Sequence, residues 1–247
     1  MVQKIVISES NDSLEVIKSV KPHNTEYQKK HKEKLDLHRV QKEGVTVNRP
    51  STEEIVKPEE SDEFTDIEKL LMFDYELSLI DSKEIRNFVE TCLKDAPSYF
   101  WYVPASSTGK YHSKESNGVG GLINHVKMTI KIARDLFRLE EYESLIEKKD
   151  LIYSALLLHD IIKYGFEKGT WVLYEHPLLA QKYILMESQK EYNEIKAYAA
   201  MIGELVSTHS GQWNTNHEGK VIMNKPETPE AKFVHLCDYI ASRSYVG

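Results

Sequence analysis

The chain places a histidine and an aspartate side by side, His159-Asp160, at the end of the apolar run Leu151-Ile152-Tyr153-Ser154-Ala155-Leu156-Leu157-Leu158. Ile161-Ile162-Lys163 follows at once. Burying an imidazole and a carboxylate together is costly unless other groups satisfy them. Candidates stand elsewhere in the chain: His125 before the pair, and His176, His209 and Asp238 after it. Most of them lie in helix-like apolar stretches, and His209 sits where one such stretch ends. Four histidines and two aspartates thus read as converging on one or two divalent metal ions.

Successive gaps between these residues are 34, 17, 33 and 29. Zinc fingers cluster their ligands in one small loop, so these gaps exclude one. A helical bundle in which each helix offers an inward ligand fits them. Five helical signals carry the candidates, at about 121–139, 151–163, 177–186, 194–207 and 229–243. Leu122, His125, Ile132 and Leu136 fall on one side of the first at helical spacing, so His125 points inward. The second is expected to stop near Gly165. His176 stands just before the third. Adjacent residues differ by about 100° on a helix, so His159 and Asp160 can serve neighbouring positions, with Asp160 bridging two metals. Imidazole and carboxylate donors suit Mn, Fe, Co, Ni, Mg or Zn.

Upstream, Ile67, Leu70, Leu71 and Asp74 begin an amphipathic segment. Ser82 is placed to cap a helix carrying Ile85, Phe88, Val89 and Leu93, which Pro97 ends. Tyr99 to Pro104 reads as aromatic and extended, and a turn-rich loop runs over 105–121. Strand signals are weak throughout, so the fold class is all-α.

The first sixty residues differ from the rest. They carry equal numbers of basic and acidic residues, so the formal charge of −7 resides in the remainder. A stretch of dense mixed charge over 26–43 leaves no wide apolar face. Residues 1–63 are therefore expected to be a charged, poorly structured arm that a protein partner could order, and 64–247 the catalytic domain. His31 and His38 are seven apart, but no carboxylate or cysteine pattern joins them into a metal site.

Negative net charge excludes a basic nucleic-acid binder as a class, so such a substrate would have to be met by local basic groups or metal ions. Two cysteines, Cys92 and Cys237, make no disulfide framework and read as thiols in a reducing compartment. No apolar run reaches the length of a membrane span, and the N-terminus is too soon polar for a signal peptide. A soluble cytoplasmic protein is expected.

The ordered set resembles the HD-domain superfamily of metal-dependent phosphohydrolases. Carrying the resemblance are Gly120-Gly121-Leu122-Ile123-Asn124-His125, Leu156-Leu157-Leu158-His159-Asp160-Ile161-Ile162-Lys163, Glu175-His176-Pro177, Ser207-Thr208-His209-Ser210-Gly211 and Phe233-Val234-His235-Leu236-Cys237-Asp238. It is most similar to the branch of bacterial 3′–5′ exoribonucleases, in which a Pro-Ala-Ser-like loop and a histidine precede the Gly-Gly-Leu turn. Here that loop is Pro104 to His112. Two positions depart from the family pattern: Ile162, where glycine is common, and Ser210, where a second histidine is often found. No OB-fold is visible in residues 1–60.

The resemblance implies that His125, His159, Asp160 and Asp238 hold one metal, and that Asp160 bridges to a second held by His176 and His209. Catalysis would fall to Asp160 and Lys163, through a metal-activated water attacking a phosphate ester. His112, Lys110, Lys163 and Trp213 would meet the substrate, a nucleotide or short single-stranded nucleic acid. Trp101, Tyr102, Tyr111, Trp171 and Trp213 are aromatics that could stack on a base, or pack in the core. His235 is expected to pack behind the ligands. The alternative function is a non-catalytic binding protein on the same fold, whose charged arm docks a partner.

Overall fold

A computed structural model describes residues 64–109 and 112–245, and the charged arm, Lys110 and Tyr111 lie outside the described residues. Eight α-helices are described: α1 (Asp66–Met72), α2 (Asp74–Ser78), α3 (Lys83–Lys94), α4 (Gly121–Leu136), α5 (Lys149–Leu158), α6 (His176–Ser188), α7 (Asn193–Ser207) and α8 (Pro229–Ala241). Three 3₁₀ segments, Ser98–Trp101, Lys114–Ser116 and Glu140–Lys148, join them. No strand occurs among the described residues, only an isolated antiparallel bridge between Thr215 and Val221. The class is all-α, a helical bundle, as expected.

Helix starts follow the local chemistry. Thr65 closes a capping box with Glu68 at the head of α1. The Ser82 and Thr228 hydroxyls accept from the backbone N–H groups of Ile85 and Ala231 at the heads of α3 and α8. Gly121 opens α4 because a Cβ there would lie 2.2 Å from the Ser116 carbonyl oxygen. Phe73 interrupts the segment read as one helix near Thr65, and the break leaves Ile67 and Leu71 exposed.

Helix α5 sits centrally and packs on α3, α4, α7 and α8. Its apolar run has no polar face, so Ile152 through Leu158 are all buried. Helices α6 and α7 form a close pair, and α4 packs against α8. At the head of α5, the Asp150 carboxylate accepts from the backbone N–H groups of Asp81 and Ser82 (3.0 and 2.7 Å), tying α5 to the start of α3. The Tyr183 hydroxyl donates to the Cys92 carbonyl (2.8 Å), tying α6 to α3.

Two expectations are corrected. Helix α5 ends at Leu158 and not at Lys163: tight turns carry residues 159–165, with Ile161 N–H bonded to Leu158 O and Lys163 N–H to Asp160 O. The reason is local, since the His159 ring claims the Leu156 carbonyl that a continuing helix would use. Tyr99–Pro104 is not extended either. Ser98–Trp101 makes a 3₁₀ turn that buries Tyr99, Phe100 and Trp101 in succession. Trp101 packs against Phe73 and Phe100 and belongs to the core, away from any substrate surface. Tyr99 supports the turns after α5: its hydroxyl donates to Gly165 O (2.6 Å) and accepts from Tyr164 N–H (3.3 Å).

Candidate metal centre

Helices α4, α5, α6, α7 and α8 meet at one end, and their termini deliver six side chains to a single cluster. His125 comes from the second turn of α4, where apolar spacing turns it inward, fully buried. His159 caps α5 and Asp160 opens the following turn. His176 is the first residue of α6, His209 follows the C-terminus of α7, and Asp238 lies in α8. His159, Asp160 and His209 are almost wholly buried.

The Asp160 carboxylate divides the cluster. Its Oδ2 lies 3.2 Å from His159 Nε2 and 3.5 Å from His125 Nε2. Its Oδ1 lies 3.1 Å from His176 Nε2 and 3.7 Å from His209 Nε2. Asp238 Oδ1 stands 3.0 Å from His125 Nε2 and 3.7 Å from His159 Nε2. Overlapping triads with the spacing of a metal site follow: His125, His159 and Asp160; His159, His209 and Asp238; Asp160, His176 and His209.

The ring hydrogens explain why these atoms want a cation. His159 Nδ1 donates to Leu156 O (2.7 Å), His176 Nδ1 to Leu173 O (2.6 Å) and His209 Nδ1 to Val206 O (2.7 Å). A carbonyl oxygen only accepts, so each Nδ1 carries a proton and turns its Nε2 into the cluster. His176 Nε2 and His209 Nε2 then face each other 3.0 Å apart. His125 Nε2 and His159 Nε2 are 3.2 Å apart. Buried Asp160 Oδ1 has no hydrogen-bond donor. Ring nitrogens set this close together beside an orphaned buried carboxylate oxygen are unfavourable alone and favourable around a divalent ion. The donor set therefore fits divalent metal.

Protonation equilibria agree with a ligand role. Burial would raise both carboxylates, but the opposing effects prevail. His159 and Lys163 hold Asp160 well below the usual carboxylate range, and the hydrogen bond with His125 does the same for Asp238. Burial lowers His125, and it pushes His209 down to about 3 with help from the charges of His159 and His176. His159 goes the other way: burial opposes its proton, yet Asp160 beside it raises the group.

Other residues surround the cluster. Lys163 is buried and its ammonium donates to Asp160 Oδ2. His112 places its ring 5.0 Å from that of His125, with both ring nitrogens buried and unpartnered. Burial, then the charges of Lys163 and His125, push His112 down to about 3. Lys110 lies outside the described residues. Trp213, in the loop after His209, is half-exposed, and Trp171 and Tyr174 are exposed in the segment before His176. Ile162 is fully buried, and the partly buried Ser210 accepts from Trp213 N–H.

His235 takes the supporting position its sequence place suggests: its Nδ1 donates to His209 O (2.7 Å). Gly211 makes room for that ring, since a Cβ there would fall 2.2 Å from His235 Cε1, and its φ is 60°. Gly211→Ala is expected to cost at least about 1–2 kcal/mol from the left-handed backbone alone. Its melting temperature should fall by several degrees and its metal affinity should drop, because His235 must leave the His209 carbonyl. An unchanged melting curve would contradict this placement.

Tyr239 and Arg243, which build a stack with Trp213, were not singled out by sequence reasoning. The signal available was their four-residue spacing from His235 on one helix face.

Residues 122–243 match the family model of the HD domain. This span holds all six cluster residues, and the members of that family are in general metal-dependent hydrolases. No curated protein and no solved structure matches the chain. None of the described helices is long and apolar enough to cross a membrane.

Proposed function

We propose that this chain is a metal-dependent phosphohydrolase that cleaves a phosphate ester of a nucleotide or of a nucleic-acid 3′ end. The observation that carries the reading is the divided Asp160 carboxylate, one oxygen toward His125 and His159, the other toward His176 and His209. In this reading His125, His159, Asp160 and Asp238 hold one divalent ion, and Asp160, His176 and His209 hold a second, with Mn, Fe, Co, Ni or Mg all compatible with the donors. Such ions supply a water made acidic near neutral pH and positive charge against the phosphoryl oxygens.

The remaining roles belong to the protein. Lys163 holds Asp160 through an ion pair and offers a positive charge beside the cluster. His112, neutral and with two unpartnered ring nitrogens, offers a donor to a phosphoryl oxygen. Carbonyls of Leu156, Leu173 and Val206 fix the rings, so little reorganisation remains when substrate arrives. The buried thiols of Cys92 and Cys237 are unpaired, which supports a reducing, cytoplasmic setting. The binding-protein alternative would rest on the arm at 1–63, and the complete set of six donors favours catalysis over it.

The test is digestion of a 5′-labelled single-stranded oligonucleotide in Mn²⁺, alongside mononucleotides and cyclic nucleotides. A shrinking ladder supports action at a 3′ end. An intact oligonucleotide with hydrolysis of the small substrates moves the reading to free nucleotides. No hydrolysis of any of them would leave the binding-protein alternative. Lys163→Ala is expected to slow hydrolysis by roughly 100-fold, as loss of one charge-stabilising donor does, with metal content unchanged. Loss of bound metal in that variant would show that Lys163 is structural.

A further inference from the structure

The loop after His209 and the end of α8 build an aromatic stack beside the cluster. Trp213 lies nearly parallel to Tyr239, with ring centroids 5.6 Å apart and planes 14° apart. The Arg243 guanidinium lies over the same Tyr239 ring, 4.4 Å from its centroid, and Arg243 Nε donates to Tyr239 O. His235 completes the row, 6.1 Å from Trp213 and 6.3 Å from Tyr239. Its hydrogen bond to the His209 carbonyl ties the stack to the backbone of a cluster residue. Tyr239 also follows Asp238 directly, so the stack is anchored on two sides of the centre.

Aromatics of the core are covered by neighbours, as Phe100 and Trp101 are. Trp213 is 50% exposed although its ring is fixed against Tyr239. A large ring stacked on a neighbour yet half-exposed is preorganised for a flat ligand, and little entropy is lost when one stacks on it. Trp171 is also exposed, but it has no ring partner among the described residues.

We propose that Trp213, braced by Tyr239 and Arg243, is the stacking platform for a nucleobase of the substrate, an inference that rests on the phosphohydrolase reading above. The phosphate would sit at the cluster and the base on the tryptophan, with the His209–Trp213 loop spanning the two. Stacking tolerates every base, because each has a π-face, so the platform selects for nucleotides without selecting among them. It also gives an acidic chain a way to hold a nucleotide without a basic groove.

The test compares adenosine 5′-monophosphate with ribose 5-phosphate on the full chain in Mn²⁺, by tryptophan fluorescence and calorimetry. Saturable quenching by the nucleotide and none by the sugar phosphate is expected. Trp213→Phe should remove the quench and keep most of the affinity, whereas Trp171→Phe should keep the quench. Trp213→Ala should weaken nucleotide binding roughly tenfold or more and leave ribose 5-phosphate binding unchanged. Quenching that survives in Trp213→Phe, or equal affinity for the two ligands in wild type, overturns the platform. If a base-free phosphate ester is hydrolysed while no base preference exists, the platform alone fails. If nothing is hydrolysed but the quench at Trp213 holds, the platform stands and the catalytic reading fails.

Discussion

Asp160→Ala is expected to abolish hydrolysis, with a loss well beyond the roughly 100-fold that removal of a residue supporting a metal ligand produces. The two oxygens of this carboxylate face different pairs of ring nitrogens, so no neighbouring group can replace it. Asp238 faces only His125 and His159, and Lys163 carries the wrong charge. The substitution also strips the buried Lys163 ammonium of its partner, so some loss of stability accompanies the loss of rate. Asp160→Asn separates the two effects. It keeps the shape and a hydrogen-bond acceptor for Lys163 but loses the negative charge, and it should remain folded and inactive. Wild-type turnover in either variant would remove Asp160 from the centre of the account.

Chelation is the second large effect. The cluster packs ring Nε2 atoms 3.0 and 3.2 Å apart beside two carboxylates, an arrangement that a cation relieves. Metal would bind the folded site and would find no comparable site in the unfolded chain. At a concentration about 1,000 times its dissociation constant it contributes roughly 4 kcal/mol. With about 2–4 °C per kcal/mol for a domain of this size, removal by a chelator should lower the melting temperature by roughly 10 °C. Mn²⁺ should restore it. Equal melting temperatures with and without chelator would mean that the cluster is held by protons and side-chain contacts instead.

The inward placement of His125 was legible because Leu122, Ile132 and Leu136 share its helical phase. The burial of His159 and Asp160 was legible because the run before them has no polar face. That Asp160 bridges the two groups was expected from its place beside His159, but which oxygen turns to which ring was not legible, since that depends on the turns after Leu158, and those arise when the His159 ring takes the Leu156 carbonyl. A helix continued to Lys163 would have aimed these side chains differently. The segment from Tyr99 to Trp101 misled for another reason: three aromatics after a proline suit a strand or a 3₁₀ turn equally, and only the core around Phe73 decides between them. Trp213 was legible as an aromatic that could stack on a base, but its brace was not, because its partner Tyr239 is 26 residues away, although His235, Tyr239 and Arg243 showed their common face in the sequence. Lys110, proposed to meet the substrate, lies outside the described residues and was not placed.

Manganese binding to the full chain, counted by equilibrium dialysis with elemental analysis, tests the central claim most directly. The account predicts two ions per chain in the wild type, falling when Asp160 is replaced by alanine and falling to one when His176 and His209 are both replaced. A wild-type chain that binds no manganese, or one whose binding is indifferent to these substitutions, would contradict it.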